Sequence, residues 1–309
     1  MSEEDDAVYA ALRNVPEFAD LSADSYSSDR LGGLTNLVYR VDPLGQKLIV
    51  RIPGKGTEDY IDRFIELHNA KVAAKAGVSA DIVWADPASG VMISRCIEPS
   101  VTMTPDLFSK RRGAPGRAAK ALRQLHSSGE TFQFRFELFA MIDDYLSILS
   151  GKDTDLPEGY SDIVAAAEPV KSILAQANAP LAPCHCDPLC ENFLDTDDRM
   201  WIVDWEYSGM NDPLWDLGDL SVEACFDAEQ DREMMRAYFG GEPSRADMGR
   251  MVIYKAMCDL LWTLWGLIQH ADNNPAEDFW AYSVNRFERC KALMQSPEFE
   301  KHLANVREG

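Results

Sequence analysis

Basic residues are scarce in this chain of 309 residues: thirty lysines and arginines face fifty-one aspartates and glutamates, for a net charge of −21. Such a balance excludes a nucleic-acid binder that works by neutralising phosphates. It favours cationic ligands at long range and otherwise serves solubility. The opening, Met1-Ser-Glu-Glu-Asp-Asp, lacks the positive charge of a secretory leader, so a cytoplasmic protein is expected. A clean apolar run is missing too. The longest, Met251–Ile268, contains Lys255 and Asp259, so no membrane span is expected. Seven cysteines cannot all pair with one another, and a chain this long needs no stapling, so reduced thiols fit best. Internal repeats and low-complexity tracts are lacking. What remains is a hydrophobic content of 46%, enough for one large domain or two modest ones.

The chain divides by pattern. Leu37–Val41, Lys47–Ile52, Asp81–Trp84 and Val91–Ser94 read as strands. A helix is expected over Glu58–Ala76, stopped by Gly77, with Ile61, Phe64, Ile65, His68 and Val72 facing the sheet. After Cys96-Ile-Glu-Pro99 the pattern turns helical over Gly116–His126, Phe134–Leu149 and Ser161–Ala177, then from Asp231 onward. A strand–loop–strand island, Leu181–Tyr207, interrupts this half. The expectation is an α+β chain with a small strand-rich N-terminal lobe over 1–95, a hinge at 96–99 and a larger helical lobe over 100–309. The hinge makes a natural cleft.

The island carries the chemistry. Cys184-His-Cys-Asp-Pro-Leu-Cys-Glu-Asn192 places His185, Asp187 and Asn192 in one loop, and Asp204 ends the apolar run from Met200. Phosphoryl transfer needs a carboxylate to orient the attacking hydroxyl, oxygen ligands for Mg²⁺, and cations against the phosphate charge. Asp187 suits the first task, and Asn192 and Asp204 the second, because Mg²⁺ prefers oxygen. The separation of Asp187 from Asn192, with Asp204 following, is that of a protein-kinase catalytic loop. His185 is expected to position the loop rather than titrate. An ordinary Asp-Pro turn accounts for Asp187 and Asn192 without Asp204. Cys184, His185, Cys186 and Cys190 are also soft zinc ligands, but the second, well-separated half of a structural zinc site is missing.

Upstream, Arg51 in the second strand and Glu66 in the following helix form a candidate pair that aims a guanidinium at nucleotide phosphates. An exposed strand-edge charge and a solvated helix face are the plainer alternatives. The turn Leu31-Gly-Gly-Leu-Thr-Asn36 makes Gly32, Gly33 and Asn36 candidates for phosphate contact, although it lacks the full G-x-G-x-x-G pattern and reads equally as a hairpin turn.

His185–Asn192, Ile202-Val-Asp-Trp-Glu-Tyr-Ser-Gly-Met-Asn211 and Trp215-Asp-Leu-Gly-Asp-Leu-Ser-Val-Glu223 together resemble the choline/ethanolamine kinases, with the aminoglycoside phosphotransferases as wider relatives. The likeness runs from about Gly32 to Phe287 and includes Leu48–Ile52 and the pair Trp262 and Trp265. It implies the two-lobed protein-kinase-like fold and ATP- and Mg²⁺-dependent phosphorylation of a small amino alcohol. It implies that Asp187 is catalytic, that Asn192 and Asp204 hold the metal, that Arg51 meets the phosphates, and that the backbone near Arg95 and Ile97 meets adenine. Trp262, Trp265 and Tyr282 match positions of a choline cage, Glu223 a carboxylate of the same pocket, and Glu206 one near the catalytic site. Periodicity instead puts Trp265 on a core stripe with Tyr254, Cys258, Leu261 and Ile268, and Trp262 at its border. The segment Ala224–Ala228 does not reproduce every family aromatic. A trimethylammonium group wants aromatic faces, whereas a primary ammonium wants acceptors, so the tryptophans favour choline over ethanolamine. Thiamine or an aminoglycoside is a more remote acceptor. A non-catalytic small-cation sensor is the reading from another class, and the intact Asp187, Asn192 and Asp204 argue against it.

Overall fold

β-branched and aromatic residues at alternate positions build an antiparallel sheet from β1 (Ser28–Arg30), β2 (Leu37–Val41), β3 (Leu48–Ile52), β4 (Ile82–Asp86) and β5 (Val91–Arg95). The computed structural model describes residues 3–31, 36–54 and 61–309. The strand order is β1-β2-β3-β5-β4. Tyr39, Val41, Leu48, Val50 and Ile93 are buried on one face. There they pack with Val8 and Leu12 of the helix α1 (Glu3–Arg13). Arg51, paired in register with Val38 and Met92, alternates to the other face. The sheet thus faces a core on one side and carries a guanidinium on the other.

The helix expected from Glu58 is described as α2 (Arg63–Lys75), and positions 58–60 lie outside the described residues. Asp62 caps it by accepting the N–H groups of Phe64 and Ile65 at 2.9 and 3.1 Å, a contact worth about 1 kcal/mol. Gly77 ends it as expected, with φ +75°. Its N–H donates to Ala74 and that of Val78 to Ala73, a Schellman closure that a left-handed glycine permits. The expected inward stripe is wrong in part: Phe64 is 65% exposed, while Glu66, Asn69, Ala70 and Ala73 are buried. Two polar side chains claim the inner face because each finds a partner across it. Glu66 meets Arg51, and Asn69 donates to the carbonyl of Ser208 at 2.9 Å.

The remainder is helical around two small strand groups. β6 (Val101–Thr102) leads into α3 (Pro105–Lys110), α4 (Ala114–His126), α5 (Leu138–Leu149) and α6 (Tyr160–Ala177). The helix expected from Phe134 starts at Leu138, because the carbonyl of Phe134 and the N–H of Phe136 are bonded to Met210 instead. The island forms β7 (Ala182–Cys184), β8 (Phe193–Asp195), β9 (Met200–Ile202) and β10 (Gly209–Asn211). β10 pairs with β7, and β8 lies between β6 and β9. Then come α7 (Leu214–Glu223), α8 (Ala228–Phe239), α9 (Arg245–Ala271), α10 (Phe279–Met294) and α11 (Pro297–Glu308).

The helix α7 precedes the expected start at Asp231. It carries no amphipathic stripe, since Leu214 through Val222 are buried all round. Gly218 makes that possible: a Cβ there would sit 2.7 Å from the carbonyl of Met251 and 2.8 Å from Cβ of Tyr254, so only glycine lets α7 lie against α9. The helix α9 is long and apolar enough to cross a membrane, but 83% of its apolar window is buried inside the protein. Its charges find counter-ions there: Lys255 lies 2.8 Å from Asp231, and Asp259 meets Arg286 and Arg289. That pairing offsets the cost of burying them.

Candidate active site

The loop after β7 is held from behind. The Asp216 carboxylate, on α7, accepts the N–H groups of His185 and Cys186 at 2.7 and 2.8 Å, and His126 Nε2 lies 2.9 Å from it. Trp215 Nε1 donates to the carbonyl of Cys186 at 3.0 Å. These contacts hold Cys186 at φ +66°, a left-handed turn that a cysteine adopts only under such constraint. His185 donates from Nε2 to the Val203 carbonyl at 2.9 Å, and its Nδ1 accepts the N–H of Asp187 at 3.3 Å. Those partners assign a neutral imidazole, and burial lowers its basicity further. Both ring nitrogens are committed, and the Cys184 and Cys186 thiols donate to the carbonyls of Asn211 and Cys184. Burial pushes both thiols well up. Cys184 and Cys186 thus pack as hydrogen-bonded thiols, and among the described residues the ligand atoms of Cys184, His185, Cys186 and Cys190 do not converge on one point.

Asp187 follows directly. Burial pushes its carboxyl well above the ordinary range, reinforced by Glu223 and Asp204, while Arg286 pulls the other way. Asn192 closes the same loop by donating its amide to the Asp187 carbonyl at 3.1 Å, which leaves its side-chain oxygen as an acceptor. Asp204 sits at φ +67°. Its carboxyl is raised to about 7 by burial and by Glu206, against the pull of Arg51. Its Oδ1 is buried and, among the described residues, has no hydrogen-bond partner. Carboxylate oxygens of Glu66, Asp204 and Glu206 lie within 4.8 Å of one another. An orphaned carboxylate oxygen in an all-oxygen set suits a hard divalent cation such as Mg²⁺.

Arg51 is brought to this cluster as expected. It pairs with Glu66 and lies 3.3 Å from Glu206 and 3.6 Å from Asp204. Burial alone would lower its affinity for the proton, but Glu66, Glu206 and Asp204 outweigh it, so the guanidinium stays charged. Asn36 donates to Glu206 at 2.9 Å, while Gly32 and Gly33 lie outside the described residues. Glu206 therefore stands on the arginine side of Asp187 rather than among the aromatic residues. Arg95 does not join them: its guanidinium donates to Gln46 and its N–H to the Asp81 carbonyl. The Ile97 carbonyl accepts the hydroxyl of Ser100 at 2.7 Å.

The second group of predicted residues also comes together. Trp262 stacks edge-to-face on Tyr207 at 5.3 Å and on Trp265 at 6.5 Å, and Trp265 packs on Tyr282 at 5.9 Å and Phe279 at 5.6 Å. The stripe argument inverted the two tryptophans. Trp262 is 4% exposed, whereas Trp265 is only partly buried and keeps an Nε1 without a partner among the described residues. A helix buried on nearly every side has no border. Glu223 ion-pairs with Arg286, whose guanidinium lies 4.6 Å over the Tyr282 ring.

Several residues escaped the sequence reading, among them Tyr207, which stacks on Trp262. Arg63 contacts Glu66 at 2.8 Å and Glu206 at 2.5 Å. Its spacing of three from Glu66 on one helix was the available signal. Asp219 is fully buried and accepts from Cys258 at 2.9 Å and Trp262 at 3.4 Å. Its carboxyl is pushed well up by burial and by Glu223. Arg286, four after Tyr282, carried the same helical signal.

Similarity agrees with this geometry. The model of the phosphotransferase enzyme family matches residues 29–248. The crystal structure of a choline/ethanolamine kinase family protein from Mesorhizobium loti is 60% identical, with a TM-score of 0.90, over 98% of this chain and 99% of that one. The choline kinase LicA from Streptococcus pneumoniae is 28% identical, with a TM-score of 0.76, over 90% of this chain and 96% of that one. Protein LicA of Haemophilus influenzae is 28% identical over 90% of this chain and 83% of its own length. With the loop, the arginine cluster and the aromatic group in place, the chain belongs to the choline/ethanolamine kinase family, within the phosphotransferases that phosphorylate an alcohol acceptor.

Proposed function

We propose that this enzyme transfers the γ-phosphoryl group of ATP, bound with Mg²⁺, directly and in line to the hydroxyl of choline, forming phosphocholine in the cytoplasm. The observation that carries the reading is the setting of Asp187, whose buried carboxyl is acted on both by Glu223 and Arg286, paired with each other beside Tyr282, and by Asp204 and Glu206 of the arginine cluster. It thus responds to both the cluster suited to phosphates and the cluster suited to an ammonium.

Asp187 orients the choline hydroxyl and accepts its proton as the oxygen attacks. Burial beside other acids makes its carboxylate a stronger base, and a cationic headgroup nearby favours the deprotonated form that accepts. Asn192 and Asp204 would hold the metal, which when bound would neutralise phosphate charge. Arg51 and Arg63 set guanidinium charge against the phosphates, with Glu66 and Glu206 fixing their direction. Residues 1–95 act as the nucleotide lobe, 96–99 as the hinge, with the backbone near Arg95–Glu98 meeting adenine, and 100–309 as the acceptor lobe. Tyr207, Trp262, Trp265 and Tyr282 offer ring faces to the methyl groups, which donate no hydrogen bonds.

The test is ADP release by purified protein with Mg²⁺ and choline, ethanolamine, thiamine or an aminoglycoside as acceptor. The highest kcat/KM should belong to choline. A preference for ethanolamine would move the acceptor, and turnover on none would leave a sensor.

A further inference from the structure

We propose that Arg286 decides which class of ammonium the acceptor pocket takes: by occupying Glu223 it leaves the aromatic walls as the recognising surface and selects a fully methylated ammonium over a primary one. The inference rests on the reading of this chain as an amino-alcohol kinase.

Arg286 is 3% exposed, reaches from α10 to Glu223 at the end of α7, and also lies 3.1 Å from Asp259. Asp259 does not depend on it. Arg289 donates to both oxygens of that carboxylate, at 2.6 and 3.1 Å. The pairing that needs Arg286 is therefore the one with Glu223, the acid first among the charges acting on Asp187. Asp219, the second acid of the pocket, is occupied as well, by the Cys258 thiol at 2.9 Å and the Trp262 indole at 3.4 Å. One carboxylate oxygen or thiol sulfur from each of Asp219, Glu223 and Cys258 lies within 4.8 Å of the others, so both acids stand at one place.

A primary ammonium brings three donors and needs acceptors for them once it leaves water, whereas a trimethylammonium brings none. With Glu223 and Asp219 already engaged, the pocket serves the second better than the first. The Arg286 guanidinium over Tyr282 adds to this by holding the ring in place for its neighbours. A cation still finds acidic surroundings, because among the described residues Asp187 and Asp219 form no ion pair with an arginine.

The experiment measures kcat and KM for choline and for ethanolamine at saturating ATP and Mg²⁺ on the full chain. The wild type should prefer choline. Arg286→Met frees Glu223, and the choline-to-ethanolamine ratio of kcat/KM should fall by about tenfold or more, the worth of one charge-assisted hydrogen bond gained by ethanolamine. Arg286→Met with Glu223→Gln removes the freed carboxylate, restores a neutral pair and should return the ratio towards wild type. That double variant leaves no uncompensated buried charge, so it folds even where the single one fails. Glu223→Gln alone strands the guanidinium in the pocket and should raise the KM of both amino alcohols while leaving that of ATP unmoved. A single Arg286→Met with an unchanged ratio, a double variant that behaves like it, or a Glu223→Gln with unchanged acceptor KM overturns the proposal. A wild type that prefers ethanolamine overturns it while sparing the kinase reading, and one that phosphorylates neither overturns both.

Discussion

Arg63 Nη1 lies 2.5 Å from Glu206 Oε1, joining the first turn of α2 to the loop after Asp204. The same nitrogen reaches Glu66 at 2.8 Å, so one guanidinium ties an acid of α2 to an acid of the loop after Asp204. Arg51 touches the same two acids from the strand side.

Arg63→Met should therefore weaken nucleotide use more than acceptor use. The ATP KM is expected to rise about tenfold, the worth of one charge-assisted contact, with the choline KM within about twofold of wild type. Initial rates at varied ATP and varied choline read the two separately. An effect confined to choline would place Arg63 outside the phosphate cluster.

Gly266 approaches α10 where Tyr282 sits: a Cβ there would meet Ser283 Oγ at 2.3 Å and Tyr282 Cδ1 at 2.6 Å. Gly266→Ala should push that ring aside, cost about 1–3 kcal/mol of stability through overpacking, and raise the acceptor KM with little change for ATP. Thermal melts and steady-state kinetics check both halves. A variant with an unshifted choline KM would remove Tyr282 from the pocket wall.

Much of this was legible because it is local. Asp187 and Asn192 share one loop, Leu37–Val41 and Val91–Arg95 alternate as strands do, and Gly77 stops a helix where a left-handed residue is required. What stayed hidden depends on partners far along the chain. Phe64 looked like core because apolar spacing cannot know that Glu66 and Asn69 will find Arg51 and Ser208. The helix α7 was invisible because burial on every side erases the stripe that reveals a helix. Asp219 and Arg286 gain meaning only from Cys258, Trp262 and Glu223, each on another helix. Trp262 and Trp265 were ranked by a stripe where α9 has almost no exposed side.

Asp187→Asn should trade function for stability. The native carboxyl is held well above its ordinary value of 3.8 by burial and Glu223, so the folded chain keeps a proton that the unfolded chain releases as pH rises. Wild-type stability is then lost progressively as pH climbs above that ordinary value, and an amide removes the loss. At pH 8 the variant should melt higher than wild type, with the gap closing towards pH 4. Calorimetry across that range reads it directly. A variant less stable at pH 8 would mean that the carboxylate is welcomed rather than strained.

His185→Ala removes the link between Asp187 and Val203 without removing any carboxylate of the site. Turnover should fall by about a hundredfold, as expected when reacting groups lose alignment, with KM values nearly unchanged. A large KM change with preserved kcat would assign His185 to binding instead.

Phosphorus NMR of the reaction tests the core assignment most directly. With ATP, Mg²⁺ and choline the wild type should accumulate a phosphomonoester signal matched by ADP, while Asp187→Ala should still bind ATP, seen by calorimetry, and form none. A phosphomonoester made at a near-normal rate without that carboxyl group would contradict the account.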